Sequence, residues 1–131
     1  MGEWKFRELA KPRALLVTVR GVMTPEETFR MASEVLAEAS RLGITRFLVD
    51  EREIRPDATT VEIYAMPHTL QDIGLRAQHR VAIIYPPADA GSKEMRFFET
   101  VARNQGLQVS LFPHIPEALE WLTQSPPDPH R

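Results

Sequence analysis

The chain has 131 residues, a formal net charge of −2 and no cysteine. This length suits one domain that buries a core without staples, and the lack of cysteine excludes a disulfide framework, a thiol nucleophile and thiolate metal ligands. A nearly neutral charge gives no electrostatic reason to expect a nucleic acid or an anionic membrane as partner. The apolar runs are far shorter than the roughly 20 residues of a bilayer crossing, and no secretory signal opens the chain. We therefore expect a cytoplasmic protein.

The N-terminal residues predict a β-hairpin. Trp4 and Phe6 alternate with charged residues, which is the period of a half-buried strand. Pro12 marks a turn, and an apolar run over residues 14–20 follows it. We expect the two strands to pair in antiparallel fashion and Gly21 to end the second one.

The next segment predicts the first helix. Thr24 supplies an N-cap hydroxyl, Pro25 suits the first helical position, and Glu27 completes a capping box. Apolar residues recur at spacings of three and four, which predicts a helix over residues 25–42 that ends at Gly43. Its predicted inward stripe consists of Phe29, Ala32, Val35, Leu36, Ala39 and Leu42.

A short apolar run over residues 46–50 predicts a strand buried on both faces. Residues 51–57 are mostly charged and predict a connection. Thr59 has a glutamate three residues later, so a second capping box should begin the next helix. Pro67 should kink or split that helix, because proline removes a backbone donor.

The C-terminal part continues the alternation. Residues 81–85 predict an apolar strand, residues 86–91 a loop, and Ser92 the cap of a third helix. Gly106 should close that helix, and residues 107–111 alternate as an edge strand does.

A proline at residue 116 opens the last predicted helix. Alternation of helix and strand indicates an α/β domain: a mixed five-stranded sheet, mostly parallel after an N-terminal antiparallel hairpin, with about four helices. We assign residues 1–123 to this domain and residues 124–131 to a disordered, proline-rich tail.

This order of elements resembles the STAS superfamily, and more closely its small stand-alone SpoIIAA-like proteins, the anti-sigma-factor-antagonist-like domains. The resemblance covers about residues 5–123. The resemblance depends on five stretches of the sequence: Gly21 with residues 24–27, residues 47–50, residues 81–84, residues 104–106, and residues 117–122. It implies a non-enzymatic regulatory or protein-binding module that acts on a protein partner or on a second copy as a homodimer.

The resemblance also implies a phosphorylation site at the start of the second helix. In the anti-sigma-factor antagonists a phosphorylated serine follows an acidic residue there, and the matching residues are Thr59 and Thr60. Threonine in place of serine also suits an ordinary helix cap. Arg55 is near enough in sequence to pair with a phosphate.

Asp50, Glu51 and Glu53 follow the third strand, at the edge where open α/β sheets place ligands. Two carboxylates that lie close together can act as the acid and the base of a catalytic site. Arginines alternate with these acidic residues, however, so a solvent-exposed loop of mutually neutralising charges is the other interpretation. The four histidines lack the spacing that puts two imidazoles on one metal, so we predict no catalytic residue, no metal and no cofactor. Residues 90–93 resemble a phosphate-binding loop, but they lack its full spacing of glycine, lysine and serine or threonine. The same residues also suit an ordinary N-terminal cap of the third helix.

Several apolar side chains have no evident inward place, so they are candidates for a partner surface. A small-molecule site for an apolar or anionic ligand, between sheet and helices, is the alternative function, and an enzyme that pairs Asp50 or Glu51 with a histidine is a third. The candidate partner or ligand surface consists of Asp50, Glu51, Arg55, Tyr64, Met66 and Phe97; Phe98 would join a pocket, and Trp121 is a further unplaced aromatic residue.

Overall fold

The computed structural model describes residues 2–85 and 92–124. Within these ranges the elements follow in the order β1 (Glu3–Ala10), β2 (Arg13–Met23), α1 (Pro25–Leu42), β3 (Arg46–Pro56), α2 (Thr60–Asp72), β4 (Arg80–Ile84), α3 (Ser92–Asn104), β5 (Gln108–Phe112) and α4 (Ile115–Thr123). None of the described helices combines the length and the apolar character that a bilayer crossing requires.

The strands form one sheet in the order β1-β2-β3-β4-β5. β1 is antiparallel to β2, and the other neighbouring pairs are parallel. This confirms the predicted α/β class, the N-terminal hairpin and the edge position of β5. Three successive crossovers of the usual right hand advance the sheet in one direction, which places α1, α2 and α3 on the same face.

The sheet separates two apolar layers. Val17 and Val49 face α1–α3 in the larger layer, whereas Leu48 and Ile84 face α4 in the smaller one. Alternate residues of a strand point to opposite faces, so adjacent residues of β3 serve different layers. This alternation decides where each acidic residue at the end of β3 points.

The strands β2 and β3 are longer than the sequence predicted. Gly21 lies inside β2 rather than at its end. Its φ is 89°, and the strand continues past it to Met23. The segment that we expected to be a polar connection instead completes β3 and pairs with the end of β2. Between the pairs Thr18↔Asp50 and Arg20↔Glu53, β2 advances two residues and β3 three, so β3 contains a bulge. A β-bulge changes the direction of the side chains next to it.

The first two helices begin with the capping boxes that the sequence predicted. Both sides of the capping box at Thr24 are formed, and Gly43 ends α1 with a φ of 71°. The inward stripe of α1 differs in one position, since Met31 is buried whereas Phe29 is 40% exposed. Pro67 lies inside α2 without splitting it.

The third helix begins at Ser92, and the predicted loop over residues 86–91 lies outside the described residues. The predicted tail also lies outside them, apart from Gln124, which is the C-cap of α4. Trp121, which had no evident place in the sequence, packs on Phe112 with ring centroids 5.6 Å apart.

Candidate functional site

An apolar cavity lies between the sheet and the helices α1, α2 and α3. Its volume is about 170 Å³. Strands β2–β5 form its floor and the three helices its walls. The lining residues are Val17, Val19, Met23, Pro25, Thr28, Met31, Ala32, Val35, Leu36, Phe47, Val49, Glu51, Ile54, Ala58, Ile63, Met66, Leu70, Leu75, Val81, Ile83, Glu94, Met95, Phe98 and Val109. Almost every group that faces this space is therefore aliphatic, aromatic or a thioether.

Glu51 brings a carboxyl group into this apolar lining from the floor. It continues the alternation of Phe47 and Val49 on the same face of β3 and lies where the bulge begins. Burial removes water from the carboxylate, and the adjacent Asp50 carboxylate adds repulsion, which together raise the pKa of Glu51 to about 7. A carboxyl group of this kind changes its charge near neutral pH.

Asp50 is not among the cavity-lining residues and has a different environment. Its Oδ1 and Oδ2 accept hydrogen bonds from Nε and Nη2 of Arg52 at 2.9 and 2.7 Å. The Arg52 guanidinium lowers the pKa of Asp50. Glu53 is exposed and forms an ion pair with Arg20 at 3.5 Å. The three neighbouring acidic residues thus divide into two ion-paired ones and one that faces an apolar space.

Glu94 supplies a second carboxyl group to the cavity, from the first turn of α3. Its Oε2 atom is buried, and no donor among the described residues reaches it. Buried polar atoms in proteins nearly always have a hydrogen-bond partner. An unpartnered carboxylate oxygen beside an apolar cavity therefore requires an explanation.

The predicted partner or ligand surface is divided by the structure. Met66 and Glu51 line the cavity. Tyr64 and Phe97 lie outside it, with their ring centroids 6.0 Å apart and exposures of 60% and 36%. Arg55 is exposed near the end of β3. One set of these residues therefore belongs to a cavity and another to the outer surface of α2 and α3.

The two candidate phosphorylation sites have different environments. Thr59 is the N-cap of α2, where its Oγ1 accepts a hydrogen bond from the backbone N–H of Glu62 at 3.2 Å. The Glu62 carboxylate in turn accepts from the Thr59 N–H at 2.8 Å. Thr60 is the first residue of α2 and is exposed. Thr59 therefore has a structural role that Thr60 lacks.

The described histidines are spread over the molecule. His79 precedes β4 at the edge where Arg46 pairs with Arg80, which is the edge opposite to Asp50. His68 is exposed and its Nε2 lies 3.9 Å from the Asp72 carboxylate, and His114 precedes α4. None of these three lines the cavity. Over residues 2–85 and 92–124, no group of three or more potential metal ligands comes together.

Sequence reasoning missed Glu94 as a cavity residue. It precedes Phe98 by four residues, so the helical spacing that turned Phe98 inward applied to Glu94 as well. Sequence reasoning also missed Arg80, which is buried and donates to the carbonyl oxygens of Trp121 and Gln124 at 2.9 and 2.6 Å. These bonds satisfy the C-terminal end of α4, which is a structural role.

No protein-family model matches the chain. No curated protein matches it either. Among solved structures, one similar chain is an uncharacterised protein of the DUF3478 family from Shewanella loihica PV-4, whose fold is SpoIIAA-like. It is 19% identical, with 92% of this chain and 93% of that chain covered and a TM-score of 0.56. The anti-sigma factor antagonist SpoIIAA in its unphosphorylated form is 10% identical, with 91% and 96% covered and a TM-score of 0.50.

These likenesses concern the fold. The chain has a SpoIIAA-like fold, as the sequence resemblance implied. At such low identities the fold does not carry a function or a set of site residues with it. Function has to be argued from the cavity and from the surface.

Proposed function

We propose that this chain is a non-enzymatic regulatory module that binds a small apolar molecule in the cavity under α1, α2 and α3. The cavity is the observation that carries the proposal. Folded cores are packed about as densely as organic crystals, so a space of about 170 Å³ in the main apolar layer is unusual for a domain of this size. An apolar cavity of about 150 Å³ accepts a benzene-sized molecule.

The chemistry of the lining supports an apolar ligand over an anionic one. No lysine, arginine or histidine lines the cavity within the described part of the chain. The two acidic residues that do are Glu51 and Glu94, and a carboxylate at either position would repel an anion. Removing an anion from water without a cationic partner costs far more than apolar contacts return.

The acidic residues at the edge of the sheet support binding rather than catalysis. Asp50 is held by Arg52 in a two-bond ion pair, and the described histidines do not line the cavity with Glu51. General acid–base chemistry needs its groups within hydrogen-bond reach of each other or of one reacting atom. A regulatory binding role requires no such arrangement.

Thermal unfolding with and without toluene tests the proposal. A ligand that binds only the folded state at about 100 times its Kd stabilises it by about 2.7 kcal/mol, which raises Tm by several degrees in a domain of this size. Ala32 lines the cavity, so Ala32→Leu should fill part of the space and abolish the toluene shift. Ala37 is exposed on the same helix, and Ala37→Leu should leave the shift unchanged. A chain whose Tm does not respond to toluene or to similar apolar molecules would refute the proposal.

A second candidate function is self-association through the outer surface of α2 and α3. Tyr64 and Phe97 contact each other there, and Val61 in the same helix as Tyr64 is 77% exposed. Aromatic residues that are exposed together are enriched where proteins bind each other. These same helices line the cavity with Met66 and Phe98, so a ligand and a partner would act on the same elements.

Sedimentation equilibrium tests this second function. A double variant, Tyr64→Ser with Phe97→Ser, should weaken a dimer at least tenfold, because aromatic anchors carry much of the binding energy of an interface. Phe29→Ser is the control, since Phe29 is exposed on α1. A wild-type chain that stays monomeric at high concentration would refute self-association.

A further inference from the structure

We propose that the cavity binds a small apolar amine, and that Glu51 and Glu94 together hold its protonated ammonium group. This inference rests on the proposed function and names the class of its ligand. It depends on two acidic residues from different elements that line the same apolar space.

The two carboxyl groups come from different elements. Glu51 lies on the floor, at the bulge of β3, and Glu94 lies in the wall, in the first turn of α3. Thr28 of α1 also lines the cavity, and the other lining residues in the described part of the chain are apolar. A protonated amine has donors but no acceptor, so it matches a site whose polar groups are mainly carboxylate oxygens.

The unpartnered Oε2 atom of Glu94 points to a ligand that donates a hydrogen bond. Leaving a buried acceptor without a donor destabilises a fold, and a charged acceptor does so more strongly. An ammonium group would supply the missing donor and neutralise the charge at once. A carboxylate or phosphate ligand would instead place a further negative charge beside Glu51 and Glu94.

The charge state of Glu51 makes the binding of an amine depend on pH. Among the described residues that line the cavity, Glu94 of α3 is the titratable group besides Glu51, and α1 and α2 contribute Thr28 and apolar residues. The charge that acts on the pKa of Glu51 is that of its strand neighbour Asp50. With a pKa of about 7, Glu51 is mostly protonated at pH 6 and mostly ionised at pH 8. Aliphatic amines stay protonated over this range, so the affinity for an amine should rise about tenfold from pH 6 to pH 8.

The test is calorimetric titration of the full chain with four probes that share a phenyl ring: toluene, benzylamine, benzyl alcohol and benzoate. At pH 8 benzylamine should bind at least about tenfold more tightly than toluene or benzyl alcohol, because hydrogen bonds to a charged group contribute more than neutral ones. Benzoate should not bind measurably. The double variant Glu51→Gln with Glu94→Gln should still bind toluene but lose the preference for benzylamine and its dependence on pH.

The outcomes distinguish the amine inference from the proposed binding of apolar molecules. Equal affinities for toluene, benzyl alcohol and benzylamine would overturn the amine inference and leave the apolar binding function standing. Tighter binding of benzoate than of benzylamine would also overturn it. A chain that binds none of the four probes would refute the proposed function itself. Toluene binding by the double variant shows that it is folded, so its loss of preference cannot be attributed to unfolding.

Discussion

Glu51 is the residue where folding and ligand binding conflict most clearly. Its carboxyl group lies in an apolar layer, and burial there raises its pKa to about 7 from an ordinary value of 4.5. The folded state therefore prefers the protonated form, while the unfolded chain ionises freely. The contribution of the protonated Glu51 to the free energy of unfolding is fully present below its pKa in the unfolded chain, 4.5, and is lost as the pH rises through its pKa in the folded protein, about 7.

Glu51→Gln should therefore change how the free energy of unfolding depends on pH. The variant should gain up to about 3 kcal/mol over the wild type between pH 4 and pH 8, because glutamine has no ionised form to bury. Urea unfolding at a series of pH values measures this difference.

Glu53→Gln is the matched control for this prediction. Glu53 lies two residues further along β3, but it is exposed and paired with Arg20. Exposed pairs contribute only about 0–1 kcal/mol, so its unfolding curves should stay close to those of the wild type at every pH. If Glu51→Gln gave the same flat difference, its carboxyl group would have to be solvated in the folded protein.

At the scale of elements, capping signals were readable in the sequence and the end of β3 was not. Thr24 and Thr59 each form the capping box that their spacing predicts, because a cap is a local interaction over three residues. The extension of β3 depends instead on pairing with β2 across a bulge and on the backbone of Gly21. Such pairing joins residues that are far apart in the sequence. The charged residues after Val49 therefore contain no local pattern that predicts the extension of the strand.

The second capping box leads to a prediction on the start of α2. Thr59→Ala should lower the free energy of unfolding by about 1 kcal/mol, because it leaves the backbone N–H of Glu62 without its acceptor. The midpoint of urea unfolding measures the change.

Thr60→Ala is the control for the same helix, since Thr60 is exposed and lies one residue after the cap. Its effect should stay within about 0.5 kcal/mol. Equal losses in both variants would contradict the capping role of Thr59. Phosphorylation of either residue remains a prediction, and Thr60 is the one that could carry a phosphate without giving up a cap bond.

At the scale of the whole molecule, the sequence was sufficient for the order and direction of the strands but not for the space between the layers. Alternation of helix and strand determines a parallel sheet, and the hairpin at the start determines its one antiparallel pair. The cavity depends on how far α1, α2 and α3 stand from the sheet and on which side chains fill the space. Met66 and Tyr64 were grouped together in the sequence, yet one lines the cavity and the other lies outside it.

The two layers should differ in their response to the loss of core volume. Leu122 is fully buried between α4 and the sheet, whereas Leu70 lines the cavity on the other face. Leu122→Ala creates a new void in a closely packed layer and should cost about 2–5 kcal/mol. Leu70→Ala only enlarges an existing space and removes fewer contacts, so it should cost about 1–2 kcal/mol.

Urea unfolding of both variants measures this difference, with an unchanged slope on denaturant as the sign that each still unfolds in one step. A loss in Leu70→Ala as large as that in Leu122→Ala would mean that the α1–α3 layer is as closely packed in solution as the α4 layer. The smaller loss would mean that the α1–α3 layer is less closely packed around Leu70 than the α4 layer is around Leu122. The helices that line the cavity would then be free to adjust to a ligand without endangering the sheet beneath them.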